Sequence, residues 1–144
     1  MVKYPTGVKA ITVKAKVAQS SKQKQKKYHN RPVEYDGHRF DSQVECGYYK
    51  QLKILKLDCR VHEKFELQPK FECGGVHHQS MTYKPDFSIY EQGKLVSVVD
   101  VKGGKATQTI ASTMRMKMFM YRYKVPVVIA TWNKETQTFE EKIK

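Results

Sequence analysis

The chain has 144 residues, a length that predicts one compact domain built around a single hydrophobic core. Its 27 lysines and arginines outnumber 14 acidic residues, which gives a formal net charge of +13. Such an excess predicts a polyanionic partner, nucleic acid above all, because bound basic side chains release counterions from phosphate backbones. No apolar run approaches the roughly 18 residues needed to cross a bilayer, which argues against a membrane protein.

Cysteine usage indicates a reducing compartment. Cys46, Cys59 and Cys73 are too few, and odd in number, for a disulfide framework. The stretch MVKYPTGVKAITVKAK lacks the uninterrupted apolar segment and the small-residue cleavage site of a secretory signal. We therefore expect a cytoplasmic protein.

Residues 1–30 differ from the rest of the chain in composition, since they contain eight lysines and no acidic residue. A self-repelling, polar segment of this kind predicts a flexible basic arm at 1–30, followed by a globular domain at 31–144. The alternation in ITVKAKVA could also form a strand on a partner surface. The arm therefore has two interpretations, a DNA-binding tether or a strand exchanged between subunits.

The globular part is predicted to begin with a hairpin and a helix. The Asp36-Gly37 pair in VEYDGHRF is a hairpin-turn signal. A helix is predicted over residues 41–57, with Asp41 or Ser42 as its N-cap. The apolar residues that recur at helical spacing are Val44, Tyr48, Leu52 and Leu55.

Strands and a second helix follow. Period-2 alternation predicts one strand over residues 65–71 and another over 81–89, and the apolar run LVSVVDV at 95–101 predicts a central strand covered on both faces. A second helix is predicted over 108–123, and VPVVIATW at 125–132 predicts a final buried strand. The residues expected on the buried face of that helix are Ile110, Met114, Met118 and Tyr121. The predicted order is α-β-β-β-α-β.

Two aspartates and a lysine mark neighbouring strands. Asp100 and Lys102 lie two residues apart and share one face of their strand. A three- or five-residue loop near Gly93 would place Asp86 opposite Asp100, whereas a two- or four-residue loop would turn the two carboxylates to opposite faces. Facing carboxylates are destabilising unless a cation lies between them, and hard oxygen ligands favour Mg²⁺ or Mn²⁺. The alternative is that Asp100 and Lys102 form a solvated ion pair at a strand end.

The pattern Pro85-Asp86, thirteen intervening residues, then Asp100-Val101-Lys102 resembles the signature of the PD-(D/E)XK nuclease superfamily. The segments YDGHRFDSQVE, LQPKF, YKPDF and VVDVKG together resemble an uncharacterised phage family within this superfamily, similar to Holliday-junction resolvase-like endonucleases, over about residues 28–123. The resemblance implies an α/β (α+β) restriction-endonuclease-like core, in which helices flank a mixed central sheet. It also implies a DNA substrate and the cytoplasm of a bacterial host.

The resemblance further implies roles for individual residues. Asp86 and Asp100 are expected to bind the metal ion, and Lys102 is expected to orient water and stabilise charge on the phosphate. Glu45 on the first helix is expected to be a further metal ligand, although Ser42-x-x-Glu45 also matches a capping box. The residues implied as accessory, each with a plain surface role as its alternative, are Gln68, Lys70 and Lys117.

A second group of residues, made of cysteines and histidines, indicates a zinc site as an alternative. Cys59, His62, Cys73 and His77 or His78 give C-x2-H followed by C-x3-H, ligand types and local spacings that suit a tetrahedral site. The strand predicted between the two halves would hold them roughly 30 Å apart, which disfavours a shared ion.

Together, the residues and the resemblance predict a Mg²⁺-dependent endonuclease that hydrolyses DNA phosphodiesters, with branched DNA in phage recombination or processing as the narrower hypothesis. A homodimer is expected by analogy with resolvases, because a four-way junction presents two symmetric phosphates. The alternative is a non-catalytic basic DNA-binding module.

Overall fold

A computed structural model describes residues 31–104 and 108–144. The predicted basic arm at 1–30 lies outside the described residues. Helix α1 spans Gln43–Ile54 and helix α2 spans Ile110–Tyr123. The strands are β1 Val33–Tyr35, β2 His38–Phe40, β3 Asp58–Val61, β4 Phe65–Gln68, β5 Phe71–Cys73, β6 Val76–His78, β7 Met81–Tyr83, β8 Phe87–Glu91, β9 Lys94–Lys102, β10 Val127–Asn133 and β11 Thr138–Ile143.

The predicted hairpin and first helix are confirmed. β1 and β2 pair across Asp36-Gly37, where both residues adopt the positive φ angles (52° and 74°) of a tight hairpin turn. Ser42 caps α1, since its side-chain oxygen accepts a hydrogen bond from the Glu45 N–H at 3.1 Å. The helix ends at Ile54, three residues earlier than predicted, so Leu55 lies at the C-cap and is exposed.

A five-stranded sheet of order β11-β10-β9-β8-β3 forms the centre of the protein. β9 pairs antiparallel with β8 and parallel with β10, so the sheet is mixed. Val99 of β9 packs in the hydrophobic cluster of α1, while Val98 packs in the cluster of α2. Because successive side chains of a strand point to opposite faces, the two helices cover opposite faces of the sheet. The protein is thus a mixed α+β fold, and β9 is central as predicted.

The two predicted strands between α1 and β9 are each divided. The segment 65–71 breaks at Pro69-Lys70 into β4 and β5, and the segment 81–89 breaks at Lys84-Pro85-Asp86 into β7 and β8. Proline lacks the N–H that a continuous ladder needs, which accounts for both breaks. β4 pairs with β7, and β5 pairs with β6 across Gly74-Gly75. The prediction of two continuous strands is therefore wrong.

The second helix was predicted at the right place, but three of the four residues expected on its buried face are exposed, and only Met118 packs against the cluster of α2. Ile110, Met114 and Tyr121 are 81, 57 and 79% exposed, whereas Met116 and Phe119 are fully buried. Apolar residues occur on every side of this helix, so periodicity alone does not select a face. The ring of Phe119 packs against aromatic residues of β4 and β7, and these tertiary contacts set the orientation.

Strands β3 and β11, at the two edges of the sheet, were not predicted. Only Phe139 of β11 is partly buried and the other residues are exposed, so the strand has almost no alternating pattern that sequence could show. Within the two described ranges, no helix is both long and apolar enough to cross a membrane.

Candidate functional site

Asp86 lies opposite Asp100, but the strand register that places it there could not be predicted from the sequence. The β8–β9 turn contains two residues, Gln92 and Gly93, both with positive φ, and such a loop alone would turn the two aspartates to opposite faces. A register shift between Ile89 and Tyr90 compensates, so Phe87 pairs with Val99. One step further, Asp86 faces Asp100. The sequence left the loop length open; the loop has two residues, and the bulge, not a three- or five-residue loop, brings Asp86 opposite Asp100.

Asp86 is fixed by backbone contacts on both sides. Its Oδ2 atom accepts a hydrogen bond of 2.6 Å from the Val101 N–H, which ties the carboxylate to β9. Its carbonyl oxygen accepts a hydrogen bond of 3.0 Å from the His62 N–H, just beyond β3. Pro85, directly before it, is fully buried. Asp86 is therefore held where three strands meet.

Asp100 and Lys102 form an ion pair at the end of β9. The Lys102 Nζ atom lies 2.5 Å from Asp100 Oδ2, and the two side chains are 26 and 12% exposed. Their position two residues apart on one strand produces this contact, as predicted. A pair this shielded from water differs from the freely solvated surface pair that was its alternative.

Glu45, on α1, lies close to Asp86. It is 4% exposed, and its Oε2 atom accepts a hydrogen bond of 3.0 Å from the Asp41 N–H. Its Oε1 atom lies 2.5 Å from His62 Nε2. The capping interpretation is thus confirmed in part, because Glu45 reaches back to the residue before the N-cap. The same carboxylate also contacts a histidine just beyond β3.

Three side chains in this region could share a metal ion. Ligand atoms of Glu45, His62 and Asp86 all lie within 4.8 Å of one another. His62 has a left-handed backbone (φ 53°), which is uncommon for a non-glycine residue and ends β3 at this point. The sequence pattern assigned His62 to the zinc constellation and did not predict its position beside Glu45 and Asp86. Its place depends on contacts with residues 17 or more positions away, for which the sequence carries no local signal.

Burial and like charge perturb Asp86. Removal from water, followed by the negative charge of Asp100, raises the pKa of Asp86 to about 7, and Glu45 acts in the same direction. The Val101 N–H and the Lys102 ammonium oppose the shift by lowering this pKa. Asp86, Asp100, Glu45 and Lys102 therefore interact electrostatically. A divalent cation would relieve the repulsion among the three carboxylates, and the ligand atoms described as close enough to share one ion are those of Glu45, His62 and Asp86.

The accessory roles that the resemblance implies for three further residues stay predictions. Gln68 is half-buried at the end of β4, Lys70 is exposed beyond it, and Lys117 is exposed on α2. In the described parts of the chain, none of the three makes a hydrogen bond or ion pair with Asp86, Asp100 or Glu45. Nothing in the structure distinguishes them from surface residues.

The cysteines and histidines of the predicted zinc constellation do not lie together in the described residues. Among residues 31–104 and 108–144, the group of possible ligands close enough to share an ion contains His62 but neither Cys59 nor Cys73. Cys59 lies on β3, where burial raises the pKa of its thiol, and Cys73 is exposed beside the β5–β6 turn. The two halves of the motif belong to different sheets.

The raised pKa of Asp86 makes stability depend on pH. An unfolded aspartate titrates near pH 4, whereas Asp86 in the folded protein titrates at about 7, so the folded state binds one more proton between these values. We expect the metal-free protein to lose stability as pH rises from about 4 to about 7, by at most about 1.4 kcal/mol per pH unit from this group. Thermal melting across this range tests the slope.

Asp86→Asn is the matched control for this titration. The variant has no carboxyl at this position, so its melting curve should lack the decline that Asp86 causes. Metal binding needs the ionised carboxylate, so Mn²⁺ affinity of the wild type should rise with pH below 7 and level off above it. Identical pH profiles for the two proteins would contradict the assignment.

Comparison with known proteins identifies the family. No curated protein matches the sequence. The solved structure named "Crystal structure of SSO0001" is similar with a TM-score of 0.48 and 14% identity, over 69% of this chain and 48% of that one. The chain thus spans about half the length of that protein. Residues 25–141 match the model of the family described as "Protein of unknown function (DUF1064)". The chain belongs to this DUF1064 family.

Proposed function

We propose that this protein is a metal-dependent DNA endonuclease with the core and active site of the PD-(D/E)XK superfamily. The observation that carries the proposal is that Asp86 belongs to a group of close possible ligands with Glu45 and His62, while strand register places it opposite Asp100, which contacts Lys102. The mixed α+β fold supports the proposal, since α1 and α2 cover opposite faces of a mixed sheet.

Each residue has a chemical role in this proposal. Asp86, Asp100 and Glu45 would hold Mg²⁺ or Mn²⁺ through carboxylate oxygens, and His62, close enough to share the ion, also contacts Glu45 at 2.5 Å. The ion, when bound, supplies a polarised phosphoryl oxygen and an acidified water. Lys102, already beside Asp100, places positive charge where negative charge develops on the phosphate. The Val101 N–H holds Asp86 in place throughout.

The charge of the chain supports DNA as substrate. With a net charge of +13, the protein is expected to bind the phosphate backbone in a strongly salt-dependent manner. Branched DNA and a homodimer are narrower proposals that rest on the resemblance to resolvases. Action on DNA inside a bacterial host also places the enzyme in that cytoplasm.

The deciding experiment is incubation of the full chain with linear, nicked, flapped and four-way-junction DNA, with and without Mg²⁺. We expect cleavage only with the metal ion, and its dependence on DNA structure then defines the substrate. Binding without metal-dependent cleavage of any of these substrates would favour the non-catalytic DNA-binding module.

Glu45→Gln separates the capping and metal-binding roles of Glu45. Glutamine can still accept a hydrogen bond from the Asp41 N–H but is a poorer metal ligand. We expect nearly unchanged melting, with Mn²⁺ affinity and cleavage reduced by about 10-fold or more.

Ser42→Ala is the complementary control, because it removes the bond between Ser42 Oγ and the Glu45 N–H. It should destabilise the protein by about 1 kcal/mol without weakening metal affinity. If Glu45→Gln cleaves as fast as wild type, Glu45 has only the capping role.

A further inference from the structure

Three buried side-chain atoms in the described residues have no hydrogen-bond partner. They are the Tyr83 hydroxyl, Ser88 Oγ and Asp100 Oδ2, whose short contact with Lys102 is an ion pair outside hydrogen-bond geometry. Buried polar groups are nearly always paired, since leaving one unpaired forfeits its hydration without compensation. The Lys102 ammonium already compensates the charge on Asp100 Oδ2, so the two hydroxyls are the atoms that call for an explanation.

Strand register places two of these atoms on one face of the sheet. Ser88 pairs with Val98, and Asp100 lies two residues beyond Val98 on β9. Paired residues of an antiparallel ladder share a face, and so do residues two apart on a strand. Ser88 and Asp100 are therefore diagonal neighbours on the face that α2 covers.

Tyr83 belongs to the same side. It packs in the cluster of α2 together with Val98, and its ring lies 5.4 Å from that of Phe119. Burial raises the pKa of Tyr83, as do the negative charges of Asp100 and Asp86, so its hydroxyl stays neutral. A neutral phenol can donate a hydrogen bond toward these carboxylates.

We propose that Tyr83 and Ser88 are positioning residues for Asp100, whose carboxylate they hold in its metal-binding orientation through one buried water. The three atoms offer a phenol donor, a hydroxyl that donates or accepts, and a carboxylate acceptor. Buried waters typically make two to four hydrogen bonds to such otherwise unsatisfied groups. Groups that orient metal ligands in this way commonly change metal affinity by about 10- to 100-fold when removed. This inference rests on the proposed metal-binding role of Asp100.

Tyr83→Phe tests the inference with a matched control. Tyr123→Phe removes a hydroxyl from the same aromatic cluster, but that hydroxyl donates to the Glu66 carbonyl at 2.8 Å and not toward the carboxylates. Calorimetric titration with Mn²⁺ should show a 10- to 100-fold weaker affinity for Tyr83→Phe and a change of less than about 3-fold for Tyr123→Phe. Raising the Mn²⁺ concentration should restore the cleavage rate of Tyr83→Phe.

A purely structural role predicts a different outcome. Loss of an unpaired buried hydroxyl would raise the melting temperature of Tyr83→Phe and leave Mn²⁺ affinity unchanged, and this result would overturn the inference. Ser88→Ala removes a single oxygen and provides a second test, with an expected several-fold loss of affinity. The double variant should lose less than the product of the two single losses, because both hydroxyls act through one water. A wild-type protein that binds no Mn²⁺ would refute the metal centre itself.

Discussion

Asp86→Asn and Asp100→Asn are each expected to abolish DNA cleavage, with rates at least about 10³-fold below wild type, while DNA affinity stays nearly unchanged. Both substitutions keep the shape of the side chain and remove an ionised metal ligand, so the charge stabilisation that the ion supplies to the transition state is lost. Phosphate contacts by lysines and arginines, which set affinity, are untouched. Single-turnover cleavage and a binding titration on the same junction DNA measure the two effects separately.

Stability distinguishes loss of chemistry from loss of fold. Above pH 7 the ionised Asp86 is repelled by Asp100 and Glu45, so Asp86→Asn should melt at the same or a higher temperature than the metal-free wild type. Asp58→Asn, at the start of β3 and exposed, is the control for a general effect of charge and should cleave normally. Turnover at the wild-type rate by either active-site variant would remove Asp86 and Asp100 from the mechanism.

The acidic cluster illustrates what sequence can and cannot reveal. Asp100 and Lys102 lie two residues apart on one strand, so their contact follows from strand geometry alone. The pairing of Asp86 with Asp100 depends on the bulge between Ile89 and Tyr90, which offsets the two-residue turn. No residue in that region signals a bulge, so the juxtaposition could be predicted only conditionally.

Features that depend on long-range packing were the ones that sequence missed. The buried face of α2 is selected by Phe119 against β4 and β7, because apolar residues occur on every side of the helix. His62 meets Glu45 only because β3 lies beside β8 at the edge of the sheet. By contrast, the Asp36-Gly37 turn, the cap at Ser42 and the buried β9 each follow from local patterns.

Lys102→Met is expected to reduce the cleavage rate by about 10² or more while the metal ion still binds. Methionine keeps the length of the side chain but removes the charge that lies beside Asp100 and would stabilise the phosphate in the transition state. The matched control is Lys94→Met, at the exposed opposite end of the same strand, which should cleave at close to the wild-type rate.

Mn²⁺ affinity and cleavage rate must be compared at a pH at which Asp86 is ionised in both the wild type and the Lys102→Met variant. The Lys102 cation lowers the pKa of Asp86, so its loss raises that pKa and strengthens proton competition with Mn²⁺ near neutrality. At about pH 8.5 this competition disappears, and Mn²⁺ affinity of Lys102→Met should lie within a few-fold of wild type. The cleavage defect should persist there and at saturating Mn²⁺, unlike that of Tyr83→Phe. If Lys102→Met binds no Mn²⁺ at this pH, Lys102 organises the carboxylates and the proposed division of roles is wrong.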